Sequence, residues 1–115
     1  MTLRECVDRL RAEVICGEEC LDHPVTAVCA SDLLSDVLGT NKHNFLLITG
    51  LATAQVVRTA ELLGCVGVVF VRGKYPPQEA IGMANVHGIP LLCTRVDLFE
   101  SCCCLANLGL EQAPE

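Results

Sequence analysis

The sequence predicts a three-layer α/β sandwich: a mainly parallel central sheet, helices on both faces and a short N-terminal strand pair. Three observations carry this reading. Apolar runs recur at near-even spacing: Phe45-Leu46-Leu47-Ile48-Thr49, Val68-Val69-Phe70-Val71 and Leu91-Leu92-Cys93-Thr94, with 22 positions from Leu46 to Val68 and 23 from Val68 to Leu91. Between the runs lie two amphipathic stretches, closed by Gly64 and Gly88. The runs are apolar on both faces, which suits parallel strands covered by helices rather than half-solvated hairpins.

The elements follow in order. Thr2 caps a first helix, with Glu5 completing a capping box. Leu3, Cys6, Val7 and Leu10 form its apolar stripe, while Asp8, Arg9 and Arg11 face water. Glu13-Val14-Ile15-Cys16 and Val25-Thr26-Ala27-Val28-Cys29 are short strands around a turn at Gly17-Glu18-Glu19, expected to pair with each other or to lie at a sheet edge. Residues 31–39 form a short helix capped by Ser31 and stopped by Gly39, with Leu33, Leu34, Val37 and Leu38 packed inward. Residues 40–44 make a polar turn into the Phe45 strand.

Thr53 caps the next helix, which buries Val56, Val57, Ala60 and Leu63 and ends at Gly64. After the Val68 strand, Pro76-Pro77 opens a helix with Ala80, Ile81 and Ala84 towards the sheet, and Gly88 ends it. Asp97 caps the last helix, whose stripe is Leu98, Cys102 and Leu105 or Ala106. Residues 111–115 read as a frayed tail.

Composition narrows the functional classes. The 115 residues read as one domain, 1–115, with hydrophobic residues at 51% and charged residues at 19%. The net charge is −6, no basic cluster occurs, and aromatics are only 3% with Tyr75 the sole tyrosine. This argues against nucleic-acid binding, by phosphate neutralisation or by stacking on aromatic platforms. There is no apolar stretch long enough for a membrane span or a signal core, so the expected location is the cytoplasm. Nine cysteines, at 6, 16, 20, 29, 65, 93, 102, 103 and 104, read as reduced thiols serving as small core groups.

The stretch 45–110 resembles the DRTGG domain. The resemblance runs through Leu46-Leu47-Ile48-Thr49-Gly50, the helix from Thr53 to Gly64 and the Val68 strand ending in Gly73. It continues through Ile89-Pro90-Leu91-Leu92-Cys93-Thr94 to Asp97-Leu98-Phe99, and residues 31–38 resemble the segment that precedes the domain in short stand-alone members. The chain has no literal Asp-Arg-Thr-Gly-Gly string. Leu51-Ala52 follows Gly50, and Val71-Arg72-Gly73 stands where Thr-Gly-Gly is common. The family occurs as a regulatory module beside CBS pairs and phosphotransacetylase domains, and is similar to the N-terminal, non-catalytic domain of HPr kinase/phosphorylase. The resemblance implies a non-catalytic sensing or assembly module, usually a homodimer, and names no ligand; no cofactor is expected.

The expected ligand site is the carboxyl edge of the parallel strands, where loops and helix N-termini gather. That edge collects Thr49, Gly50, Arg72, Gly73, Lys74 and Thr94, with Arg95 beside them. Hydroxyls, turn glycines and cations together suit a nucleotide or a small phosphorylated or carboxylated ligand. Gly73-Lys74 is no P-loop: Tyr75 replaces the magnesium-binding Ser or Thr, and position 68 is Val rather than Gly. No metal site is expected, because Cys102-Cys103-Cys104 on a helix fan about 100° apart and Cys16, Cys20 and His23 alone are too few ligands. Asp32 and Asp36 read as a solvated face and a cap. The alternatives are a protein-interaction or redox-responsive module without a small ligand, or a small phosphate-handling enzyme.

Overall fold

The computed structural model describes residues 1–40 and 44–113. His43 in the expected polar turn, and Pro114 and Glu115 of the expected tail, lie outside them. The elements are α1 (Leu3–Leu10), β1 (Glu13–Cys16), a 3-10 turn (Glu18–Cys20), β2 (Ala27–Ala30), α2 (Leu34–Leu38), β3 (Phe45–Thr49), α3 (Ala54–Leu63), β4 (Gly67–Phe70), α4 (Gln78–His87), β5 (Leu91–Cys93) and α5 (Leu98–Asn107).

Five strands form one sheet in the order β1-β5-β4-β3-β2. Strands β2 to β5 run parallel, each beside its successor in sequence, and β1 lies antiparallel on β5. Each parallel step needs a crossover, and crossovers of one hand taken in one direction place their helices on one face. Accordingly Val37 of α2, Val56 and Ala60 of α3 and Ala80 and Ala84 of α4 share one core layer with Leu47, Val68 and Leu91. The opposite face goes to the terminal helices: Leu3, Cys6 and Leu10 of α1 and Leu105 of α5 pack on Leu46, Val69 and Leu92. Every residue of β3 and β4 is buried, so the both-sided apolar pattern of these strands meets helices on both sides. This is the expected three-layer sandwich.

Of the two arrangements expected of the N-terminal strands, the mutual pair does not form and the edge placement does. β1 and β2 occupy opposite edges of the sheet. The segment between them, residues 17–26, carries a 3-10 turn rather than a hairpin turn, and each strand pairs in the core, β1 on β5 and β2 on β3. Ile15 is an extra residue in the β1–β5 ladder, a bulge on an edge strand.

The tail is docked rather than frayed. Val28 donates its N–H to the Glu111 oxygen (2.9 Å), and Ala113 donates to the Val28 oxygen (2.7 Å), so residues 111–113 close the outer edge of β2. Ala113 is buried there.

α2 is shorter than expected and starts without a side-chain cap. Ser31 lies before it, accepting the Leu33 N–H at 3.0 Å. Of its four expected inward leucines and valine, Val37 is buried and Leu34 half-buried, whereas Leu33 and Leu38 are 57% and 50% exposed. The other caps fold as read. Thr2 and Glu5 form the capping box of α1, Thr53 accepts the Val56 N–H, and Asp97 accepts the Glu100 N–H.

The cysteines are free thiols. Burial pushes the Cys6 thiol up from 9.0 to about 11 and the Cys65 thiol to about 12, so both stay protonated at neutral pH. In α5, Ser101 rather than Cys102 takes the innermost position, Cys104 packs on the core and Cys103 is exposed.

Gly17 marks the tightest packing constraint between the N-terminal segment and the sheet. Its φ is +84°, and a Cβ there would lie 2.5 Å from the Pro90 Cα. Gly17→Ala combines left-handed strain with a backbone clash and is expected to lower unfolding free energy by about 2–4 kcal/mol. Gly73→Ala, with φ +67° but open space around the Cβ, is expected to cost only the strain, about 1 kcal/mol. Urea unfolding of the two variants reads the difference.

Candidate functional site

Three connections end around one cavity at the carboxyl edge of β4 and β5. Its volume is about 790 Å³, and its walls include Leu10, Arg11, Glu13, Arg72, Gly73, Tyr75, Cys93, Thr94, Arg95 and Val96. Arg11 comes from the end of α1, Arg72 from the turn after β4, and Arg95 from the turn after β5.

The backbone at Arg11 and Arg72 is unusual. Helix α1 ends in a Schellman motif: Ala12 donates its N–H to the Val7 oxygen and Arg11 donates to the Asp8 oxygen. The left-handed residue of that motif is normally glycine. Gly64, Gly88 and Gly109 fill it after α3, α4 and α5, but after α1 the residue is Arg11, with φ 51°. Arg72, φ 59°, and Gly73, φ 67°, then form the corners of a type I′ turn closed by the Lys74 N–H to the Val71 oxygen at 3.1 Å. Among the described residues, the non-glycine residues with positive φ are Arg11, Asn44 and Arg72. Two of these three are arginines on one cavity.

The framework around them is fully bonded. Arg72 donates its N–H to the Val96 oxygen (3.0 Å) and Gly73 to the Thr94 oxygen (2.8 Å). The buried Thr94 hydroxyl donates to the Leu10 oxygen at 2.7 Å and accepts the Val96 N–H at 3.4 Å. Thr94 thereby ties the end of α1 to β5. With these backbone groups and this hydroxyl engaged, the charged donors on the cavity walls are the guanidinium groups.

The expected site residues therefore divide. Arg72, Gly73 and Thr94 line the cavity. Lys74 follows in the same turn, its carbonyl accepting the Cys93 thiol at 3.3 Å. Thr49 and Gly50 lie one strand away and face Asp32: the Gly50 N–H donates to Asp32 Oδ1 at 2.6 Å and the Thr49 hydroxyl to the same oxygen at 3.1 Å. A carboxylate of the chain thus fills the anion position at the end of β3. Asp32 stands before α2, so it pairs with β3 instead of sharing a helical face with Asp36.

Arg11 is exposed, as the helix pattern expects, but it also stands on the cavity wall. Its signal in the sequence is the missing glycine after Leu10. Glu13, paired with Cys93 across the β1–β5 ladder, brings one carboxylate to the cavity. Burial, then Glu13, pushes the Cys93 thiol up, with Arg95 opposing. The thiol is therefore protonated and a poor nucleophile.

Three guanidiniums and one carboxylate give the cavity a positive balance in a chain of net charge −6. Guanidiniums present planar forks that match phosphate or carboxylate oxygens bidentately. Among the described residues, no three His, Cys, Asp or Glu side chains converge as metal ligands. No helix among them is long and apolar enough to cross a membrane.

No family model and no curated protein matches the chain. Among solved structures it is similar to the CBS and DRTGG domains of the regulatory region of Clostridium perfringens pyrophosphatase, complexed with the activator diadenosine tetraphosphate. The TM-score is 0.75 at 21% sequence identity, covering 90% of this chain and 45% of that one. The chain thus spans less than half the length of that neighbour. The likeness establishes the fold, and at that level it agrees with the resemblance carried by residues 45–110.

Framework and ligand roles separate by mutation. Thr94→Val leaves the Leu10 oxygen without its buried donor and is expected to destabilise by about 1–3 kcal/mol. Arg72→Gly relieves left-handed strain against a small gain in unfolded-state entropy. Its stability is expected to be unchanged or raised by up to about 1 kcal/mol. Chemical denaturation with unchanged m-values checks both; a large loss in Arg72→Gly would make Arg72 a framework residue.

Proposed function

We propose that the chain is a non-catalytic, ligand-sensing regulatory module of DRTGG type. Its ligand is an anionic small molecule, a nucleotide or a small phosphorylated or carboxylated compound, bound by Arg11, Arg72 and Arg95 with Lys74 at the rim. One observation carries the reading. Arg11 and Arg72 are both held in a backbone conformation that glycine would adopt at lower energy, and both line the same cavity. Left-handed strain costs about 1–2 kcal/mol per residue. Such strain clusters where a side chain is needed for function.

Two further points support it. The structural neighbour belongs to a regulatory region and was captured with a nucleotide activator. Within the cavity, Cys93 is a protonated thiol and the Thr94 hydroxyl is engaged with Leu10. Neither is set up as a nucleophile, which favours sensing over turnover. The test is thermal unfolding in low-salt, reducing buffer with phosphate, tripolyphosphate, nucleotides and dicarboxylates. A ligand at about 100 times its dissociation constant is expected to add about 2.7 kcal/mol. The shift is expected to vanish in Arg11→Gly and Arg72→Gly, which keep the backbone shape. No shift from any compound, or a shift that survives both variants, rejects the site.

The assembly state we propose is a homodimer through α2. Its support is the exposure of Leu38 on α2 and of Leu33 just before it, with Val37 the one buried residue of that helix. Sedimentation velocity is expected to give a dimer for the native chain and a monomer for Leu38→Asp. A monomeric native chain would reject this assembly.

A further inference from the structure

The cavity walls carry both signs of charge and an aromatic side chain, and that narrows the ligand class. This inference rests on the anion-binding reading above. Arg11, Arg72 and Arg95 supply cationic donors, but the same walls carry Glu13 and Tyr75. A carboxylate accepts hydrogen bonds and repels phosphate, so Glu13 suits a neutral, hydrogen-donating part of a ligand and not its charged end. Tyr75 is 54% exposed and lines the same cavity as buried Leu10 and half-buried Val96. An aromatic side chain and three guanidiniums on one cavity fit a molecule that carries both a flat ring and phosphates. A volume of about 790 Å³ falls in the range of about 300–1,000 Å³ that accommodates drug-sized ligands, far more than one phosphate requires.

We infer that this cavity binds a purine nucleoside polyphosphate. The arginines hold the phosphates, Tyr75 stacks on the base, and Glu13 accepts hydrogen bonds from the base or the ribose hydroxyls. A purine is favoured over a pyrimidine because the larger ring covers more of a single aromatic face. Every base offers a π-face to an aromatic side chain, and loss of such a stack weakens binding by roughly tenfold or more.

Tyr75 is the only tyrosine, and the chain has no tryptophan. Its emission is therefore a built-in probe of this one position. The experiment titrates the whole chain with ATP and with inorganic tripolyphosphate in metal-free, low-salt buffer, by calorimetry and by Tyr75 emission corrected for absorbance. ATP is expected to bind at least about tenfold tighter than tripolyphosphate and to quench Tyr75. Tyr75→Ala is expected to bring ATP down to the level of tripolyphosphate and to leave tripolyphosphate unchanged. Tyr75→Phe is expected to retain ATP binding. Arg72→Gly is expected to weaken both compounds.

Equal affinities for ATP and tripolyphosphate, with no effect of Tyr75→Ala, would overturn the nucleotide inference and leave the anion site standing. ATP binding that survives Arg72→Gly would place the nucleotide elsewhere and overturn it as well. Failure of both compounds to bind would overturn this inference together with the anion-binding reading.

Discussion

The structure depends on one topological constraint. Strands β2, β3, β4 and β5 are added in a single direction, each beside the last. Crossovers of one hand then place α2, α3 and α4 on the same face. A sheet whose central strands are buried on both sides needs a second helical layer, and only the ends of the chain are free to supply it. α1 and α5 do so, and pack on each other as well as on the sheet. The segment after α1 must next return to the sheet, and the open position is the far edge of β5, where β1 lies antiparallel. That return carries Arg11 and Glu13 to the carboxyl ends of β4 and β5. The cavity is a consequence of bringing the N-terminus home.

The features legible in the sequence were those written locally. Parallel strands buried on both faces leave runs such as Phe45-Leu46-Leu47-Ile48. Caps at Thr2, Thr53 and Asp97 sit within three residues of the groups they bond. What could not be read was pairing at the sheet edges. Glu13-Val14-Ile15-Cys16 and Ala27-Val28-Cys29-Ala30 are neighbours in sequence, but their partners are set by which core strand still has an open edge. The tail was illegible for the same reason. Its hydrogen bonds go to Val28, and nothing in Glu111-Gln112-Ala113 announces a strand.

The site was half legible. The rule that loops gather at the carboxyl edge groups Arg72, Gly73 and Thr94, and these three line one cavity. The rule could not divide that edge between two neighbourhoods. Thr49 and Gly50 are engaged by Asp32, from a segment whose helix starts later than its sequence pattern suggests. Arg11 was hidden by ordinary helix patterning, which assigns a charged residue beyond the apolar stripe to solvent. A comparison of helix ends would have found it: the other Schellman ends carry glycine, and this one carries arginine.

That substitution separates two kinds of explanation for the basic residues. An arginine kept for solubility can sit anywhere on the surface at no conformational cost. Relative to glycine, Arg11 and Arg72 together cost up to about 2 kcal/mol once glycine's greater unfolded-state entropy is set against the strain, in a fold whose whole margin is expected to be about 5–15 kcal/mol. Solubility gives no reason to bear that cost, because a chain of net charge −6 gains little from two added cations. Framework bonding gives no reason either, because the bonds at both turns are made by backbone N–H and carbonyl groups that glycine would supply equally. What glycine cannot supply is the side chain. The proposed ligand role gives both side chains a use in the cavity they share, and Glu13 on the same walls fits a ligand larger than a lone anion.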